Sequence, residues 1–242
     1  MRPRVGGTAR SRVATCVSAL VTGAATCAVA LGPASAASIR GTVQLVGVAP
    51  EQKKIAVTID QFVCGKDKAS EEIVIGPQRG IRSVVVWIEP PPPGAKGETP
   101  LPVVHIDQKG CVYTPRVVVM PAGGSIEFLN SDRLLHNIHS VSKENSPFNR
   151  TQPKGRTITL TLPRPEIIRV KCDLHSWMQA WIVVAEHPYY AVTNADGEWA
   201  LHHLPPGKYR LQVWQESLGT VTREVTVGSE DVTGVAVEMK RK

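Results

Sequence analysis

The loop Cys172-Asp173-Leu174-His175-Ser176-Trp177-Met178 sets the strictest condition on how this 242-residue chain can fold. Cys172, His175 and Met178 recur at three-residue intervals, and an apolar, strand-like run over residues 180–185 follows at once. A thiolate, an imidazole and a thioether together favour a soft ion such as copper, whereas a structural zinc site takes four Cys or His ligands. A fold that uses all three donors must pin the loop between extended strands and bring one more imidazole to it from elsewhere. Core packing would account for Trp177 and Met178, and a buried thiol for Cys172. Neither explains a His at this spacing.

The rest of the chain supplies strands. Residues 39–46, 55–59, 73–75 and 83–88 alternate or cluster β-branched side chains between Gly and Pro punctuation, and no long stretch shows helical periodicity. The segment 89–102, EPPPPGAKGETPLP, lacks the N–H donors of a sheet interior and reads as an extended surface connector in preference to a proline-rich ligand. Residues 116–120 and 125–130 form two further predicted strands joined by the turn PAGG. Residues 156–162 and 167–171 form two more. The fold class expected is all-β.

Residues 1–36 read as a secretory leader: Arg2, Arg4, Arg10 and Arg12, an apolar run over 13–31, then Ala34-Ser35-Ala36 before the expected cleavage. Retention as an anchor is the alternative. Cys16 and Cys27 lack a lipidation context, and there is no twin-arginine pair. The leader holds 4 of the 28 Lys and Arg residues, so 24 basic residues face 21 acidic ones in the remainder. That weak balance, with no basic and aromatic run, argues against nucleic acid as a partner. No later segment is apolar for long enough to span a membrane. A periplasmic, extracellular or cell-envelope location follows.

Export favours cystine formation. Cys64, Cys111 and Cys172 lie outside the leader. With Cys172 reserved as a metal-binding thiolate, Cys64 and Cys111 are expected to form a disulfide. Of the seven His residues, His105, His187, His202 and His203 lie in strands or near turns without other ligands around them. His136 follows the strand break Asn130-Ser131-Asp132 and precedes Asn137. His139 competes with it, but on a strand the two point to opposite faces, so one ion is not expected to take both.

Residues 107–184 resemble the cupredoxins, small electron-transfer proteins with a blue copper site. The resemblance rests on YTPRVVVMPAGGSIEFLNSD, on the LHNIH that follows, and on C-x-x-H-x-x-M leading into a final strand; the short loop is most similar to that of the amicyanins. It implies a Greek-key β-sandwich binding one copper ion through His136, Cys172, His175 and Met178, with Met178 as the weak axial ligand. It also implies that Asn137 hydrogen-bonds across to the Cys loop, and that a partly exposed His175, beside Trp177, is the port through which electrons reach a redox protein partner.

The tail resembles carboxypeptidase-regulatory-like modules of the prealbumin type, on T-N-A-D-G-E-W-A-L, where Asp196-Gly197 suits a hairpin turn, and on L-P-P-G-K-Y-R-L. Two arrangements are open. In the favoured serial one, residues 37–185 form the cupredoxin-like domain, with 37–104 as its N-terminal β extension, and 186–242 form the module. In the other, 38–90 and 186–242 build one sandwich around an inserted copper domain, since Ile39-Arg40-Gly41-Thr42-Val43 has the G-x-V look of such a module's first strand. This combination is also similar to proteins labelled methylamine-utilisation or plastocyanin-like. No catalytic triad, phosphate loop or second His set marks an enzyme. The expected function is single-electron transfer; copper delivery, or a surface-binding β protein with a vestigial site, are the alternatives.

Overall fold

The computed structural model describes residues 36–95 and 100–241. The leader expected over 1–36 lies outside them apart from Ala36. In chain order the strands are β1 (Ala37–Val46), β2 (Lys54–Ala56), β3 (Asp67–Ala69) and β4 (Val85–Ile88), with one helical turn, α1 (Gln61–Cys64), between β2 and β3. Next come β5 (Val103–Gln108), β6 (Tyr113–Thr114), β7 (Val117–Pro121), β8 (Ser125–Asn130), β9 (His136–Val141), β10 (Asn149–Gln152), β11 (Ile158–Thr161), β12 (Glu166–Lys171) and β13 (Gln179–Ala185). The chain closes with β14 (Tyr190–Val192), β15 (Glu198–Leu204), β16 (Gly207–Gln215), β17 (Gly219–Val227) and β18 (Val232–Lys240). The class is all-β, as the strand pattern predicts. The connector 89–102 contributes no strand among its described residues.

Four sheets stack over three apolar seams. Sheet β15-β1-β18 faces sheet β14-β4-β16-β17 across one core, which includes Ile39, Leu45, Val86, Leu201, Leu211 and Met239. Sheet β10-β9-β12-β13-β7 faces sheet β11-β8-β5-β6 across a second, which includes Ile106, Phe128, Ile138, Ile168 and Ile182. A third seam, formed around Val85, Val117, Val119 and Val183, joins the two sandwiches. Side chains alternate faces along a strand, so a strand lying between two seams must be apolar at every position. That accounts for the unbroken run in β13: Ala180, Ile182 and Val184 enter the second core, while Trp181 and Val183 enter the joining seam.

The arrangement differs from the serial one. β1 pairs antiparallel with β15 and parallel with β18, and β4 pairs antiparallel with β14 and β16. The first and last parts of the chain therefore build one sandwich, and β5 to β13 form the other between them. Gly41 shows why the pairing is close: a Cβ there would stand 2.0 Å from the Val235 carbonyl oxygen and 2.8 Å from the Trp199 ring. Asp196-Gly197 is a turn with φ +76° at the glycine, but it carries the chain from β14 to β15, which lie in different sheets, and so does not close a hairpin. Among the described residues 73–75, only a bridge from Ile75 to Ile81 forms.

Beside the joining seam lies a part-buried ion pair. Arg116 donates to both oxygens of Glu216, at 2.6 and 3.0 Å, and Glu216 also accepts from the Gln179 amide at 2.7 Å and the Trp181 indole at 2.8 Å. Such a pair withstands partial burial because further donors fill the carboxylate. Gln179 directly follows Met178, so the contact ties one sandwich to the neck of the ligand loop in the other. The segment between β1 and β4 makes a second tie: the hairpin β2–β3 extends over the inserted sandwich, and Cys64 forms a disulfide with Cys111. With 47 residues separating the two cysteines, loop-closure entropy in the unfolded chain assigns this link about 4 kcal/mol.

Candidate metal centre

The site forms where β9 starts and where β12 turns into β13. Asn130 ends β8, and its amide donates to the Leu134 carbonyl at 2.9 Å and the Gln152 carbonyl at 2.8 Å. Its side-chain oxygen accepts from the Asp132 N–H at 3.0 Å, closing an Asx turn. This turn delivers His136 to the first position of β9 with its ring fully buried. His139, three residues on, emerges on the other face with a third of its side chain exposed and meets the Asp173 carboxylate at 2.8 Å. The alternation expected on a strand thus separates the two histidines.

The loop 172–178 is closed at its neck by a hydrogen bond from the Cys172 N–H to the Met178 carbonyl at 3.2 Å, and tightened by one from the Met178 N–H to the His175 carbonyl at 2.9 Å. The Asp173 N–H donates to Asn137 Oδ1 at 2.6 Å, the cross-link that the resemblance implies for Asn137. Asn137 also donates to Asn149 Oδ1 at 2.7 Å, and its carbonyl accepts from the Tyr113 hydroxyl at 2.6 Å. Burial, together with the nearby charges of Cys172 and Asp173, pushes the Tyr113 hydroxyl up, so it stays a donor. Hydrogen bonds from His139 and then Lys171 hold Asp173 well below the usual carboxylate range.

Three of the four sequence-predicted ligands converge. The donor atoms of His136, Cys172 and His175 lie within 4.8 Å of one another, all three residues being buried. His136 Nδ1 is 3.0 Å from His175 Nδ1, and Cys172 Sγ is 3.6 Å from the same nitrogen. Metal–nitrogen bonds of about 2.0 Å and metal–sulfur bonds of about 2.3 Å span separations of this size around one ion. Met178 is buried in the same apolar cluster as Cys172, at the neck of the loop. A second group, Cys111, Asp132 and His136, also draws together, but the Cys111 sulfur is committed to the disulfide.

The outer edges of the two imidazoles decide the fit. His136 Nε2 lies 3.0 Å from Asp132 Oδ2, and His175 Nε2 lies 3.0 Å from Asp60 Oδ2. An Nε2–H held by a carboxylate leaves the Nδ1 lone pair free and aimed inward, the arrangement that orients metal-binding histidines. Two such lone pairs 3.0 Å apart repel unless a cation or a proton lies between them. Burial lowers the His136 pKa despite the hydrogen bond to Asp132, which keeps that ring neutral and able to ligate. The donor set suits copper: two imidazoles and a thiolate, with Met178 in the same apolar cluster as Cys172.

The inserted sandwich carries this site. Similarity to solved structures covers part of the chain. A Cu-containing nitrite reductase from Thermus scotoductus SA-01 is 26% identical with a TM-score of 0.34, over 41% of this chain and 26% of that one. A purple cupredoxin from Nitrosopumilus maritimus is 19% identical with a TM-score of 0.30, over 34% and 99%. A mutant amicyanin in its reduced state is 17% identical with a TM-score of 0.32, over 41% and 98%. The chain thus spans about a quarter of the nitrite reductase. The family model of the carboxypeptidase regulatory-like domain matches residues 179–240, which takes in β13 to β18 and leaves out β1 and β4. No curated protein sequence matches the chain.

The inserted sandwich departs from expectation at the edge of the site. His175 is fully buried, so it is not the partly exposed port that the resemblance implies. Asp60, 115 residues earlier in the chain, covers it. Trp177 is half-buried, its ring centroid 5.2 Å from that of His175, and its indole donates to the Cys111 carbonyl at 3.0 Å. Sequence reasoning missed both Asp60 and Asp132. Asp132 left a signal, an acid four residues before His136 in the N-S-D break; Asp60 left none. The four histidines expected to be structural make no part of the cluster.

Proposed function

We propose that this chain is an exported type 1 copper protein that passes single electrons between redox protein partners. One observation carries the reading: the inward Nδ1 atoms of His136 and His175 meet at 3.0 Å beside the Cys172 thiol, each imidazole backed by a carboxylate. Bound copper would supply one-electron cycling between Cu(I) and Cu(II). His136, Cys172 and His175 would hold it, with Met178 as a further, weaker ligand. The chain's own contribution is rigidity. Asp132 fixes one imidazole, Asn137 fixes the loop at Asp173, and β12 and β13 clamp both ends of that loop. Donors that keep their places on gain and loss of an electron keep the reorganisation cost low.

Burial of all three donors favours a carrier over a delivery protein, which needs an ion that exchanges readily. The Cys64–Cys111 disulfide and the leader-like start support a location in the cell envelope or outside the cell. Among the described residues no helix is long and apolar enough to cross a membrane. The reading is of a carrier and not of an enzyme. Copper titration followed by visible spectroscopy tests it. An intense thiolate-to-Cu(II) band is expected, abolished in Cys172→Ala and His136→Ala and retained in His139→Ala. Bound copper without the band overturns the reading.

A further inference from the structure

Asp60 belongs to the segment that links two strands of the other sandwich, yet its carboxylate lies 3.0 Å from His175 Nε2. It adopts a left-handed backbone conformation, φ 53°, which Asp tolerates better than most residues. The segment is held down beyond this one contact. Val57 and Cys64 are buried in the same apolar cluster as Cys172 and Met178. The Val57 N–H donates to the Lys66 carbonyl at 3.0 Å, Gln61 Nε2 donates to the Val57 carbonyl at 2.7 Å, and the Cys64 N–H donates to the Asp60 carbonyl at 2.9 Å. The disulfide fastens Cys64 to Cys111, whose carbonyl in turn holds the Trp177 indole.

We propose that Asp60 is a positioning residue for His175 and that the segment 54–69 is a covalently tethered lid over the His175 edge of the site. Asp60 fixes the imidazole from outside, with Nε2–H donating to the carboxylate and Nδ1 left bare toward Cys172. It also covers the Nε2 edge of that ring, which is fully buried beneath the partly exposed carboxylate. The disulfide keeps the lid closed, so the site opens only when the whole hairpin lifts. The inference deepens the copper reading and rests on it for its purpose, but the lid can be tested without copper.

The copper-free, full-length protein is treated with diethyl pyrocarbonate, and mass spectrometry reads carbethoxylation of His175 relative to His105, whose side chain is 55% exposed. In the unaltered protein His175 reacts far more slowly than His105. Asp60→Ala is expected to raise the ratio about tenfold, the effect of one charge-assisted hydrogen bond on a local opening. Asp60→Asn, which keeps a neutral acceptor for Nε2–H, should raise it by only about threefold. The double variant Cys64→Ser/Cys111→Ser should raise the ratio at least as much as Asp60→Ala, because the tether is gone. An unchanged ratio in folded Asp60→Ala overturns the proposal. Should that variant fail to fold, an unchanged ratio in the double cysteine variant overturns it instead. Failure of the copper reading would show separately, as absence of the visible band, and would leave these ratios as they are.

Discussion

The two sandwiches are built from the same kind of element and filled with different chemistry. The one formed by the chain's outer parts has an interior of Ala, Ile, Val, Leu, Met, Trp and Tyr, and its buried polar residues are His187, Thr193 and Gln215. The inserted one buries His136, His175, Asn130, Asp132, Asn137, Ser140, Gln108 and Gln152 beside its apolar side chains. Buried polar groups cost free energy unless each is partnered, so a fold keeps them where they are satisfied or where they do something. Here they line the end of the sandwich at which three possible ligands converge. One sandwich is a support, and the other is organised around a site.

The largest expected effect tests the support. Leu211, on β16, is fully buried in the apolar core. Leu211→Ala should cost about 3 kcal/mol through lost burial and the cavity left behind, read as a lower midpoint in urea unfolding. The copper band, measured below the transition, should keep its position and intensity. A band that shifts would break the division of labour and show that core packing in the support reaches the ligands through the Glu216–Arg116 contact at the neck of the loop.

A buried carboxylate of the site-bearing sandwich comes next. Asp132 accepts from the Gly110 N–H at 2.6 Å and the Cys111 N–H at 2.7 Å while facing His136 Nε2 at 3.0 Å. Asp132→Ala leaves those donors without a partner and should cost about 2 kcal/mol. Unlike Leu211→Ala, it should also move the band expected of the proposed copper site, because it frees the His136 ring. Unfolding in urea and a visible spectrum of the same sample check both halves of this expectation.

What could be read from the sequence followed the range of the interaction. Cys172, His175 and Met178 share one short loop, and His136-Asn137 follows a strand break, so local spacing and resemblance were enough to choose them. The alternation that sets His136 against His139 is likewise a property of one strand. Asp60 could not be found this way, because only the lifting of β2–β3 over the inserted sandwich brings it to His175. The same long-range pairing decided the architecture. β1 reads as a strand from its own residues, but its partners β15 and β18 lie over 150 residues away, and nothing local distinguishes an early strand of the inserted sandwich from the first strand of the other one. The expectation of an exposed His175 failed for this reason: the covering residue comes from outside the part of the chain that carries the resemblance.

The smallest expected effect concerns a polar cluster of the site-bearing sandwich that lies at the other end of β12 from Cys172. Glu166 accepts from the Ser142 hydroxyl at 2.6 Å, the Lys143 N–H at 2.5 Å and the Asn145 N–H at 3.1 Å, with the Asn145 amide at 3.0 Å. Partial burial alone would raise its pKa, but these four donors outweigh it and bring the carboxyl from 4.5 down to about 2. A carboxyl whose pKa is depressed by folding stabilises the fold above its unfolded pKa, and that contribution fades as the pH falls toward its folded pKa. Here the window runs from 4.5 to about 2. Because the group is partly exposed, screening holds the effect to about 1 kcal/mol. Glu166→Gln should therefore be less stable than the unaltered protein at pH 7, and the difference should shrink as the pH falls through that window. Urea midpoints at pH 7, 4 and 2.5 measure it, and the copper-free protein suffices. A constant difference would mean that the loop over residues 142–145 is held by packing. A shrinking one would show that the polar interior of this sandwich stabilises it away from the site as well, and so that the contrast with its apolar neighbour is one of construction throughout and not only of ligands.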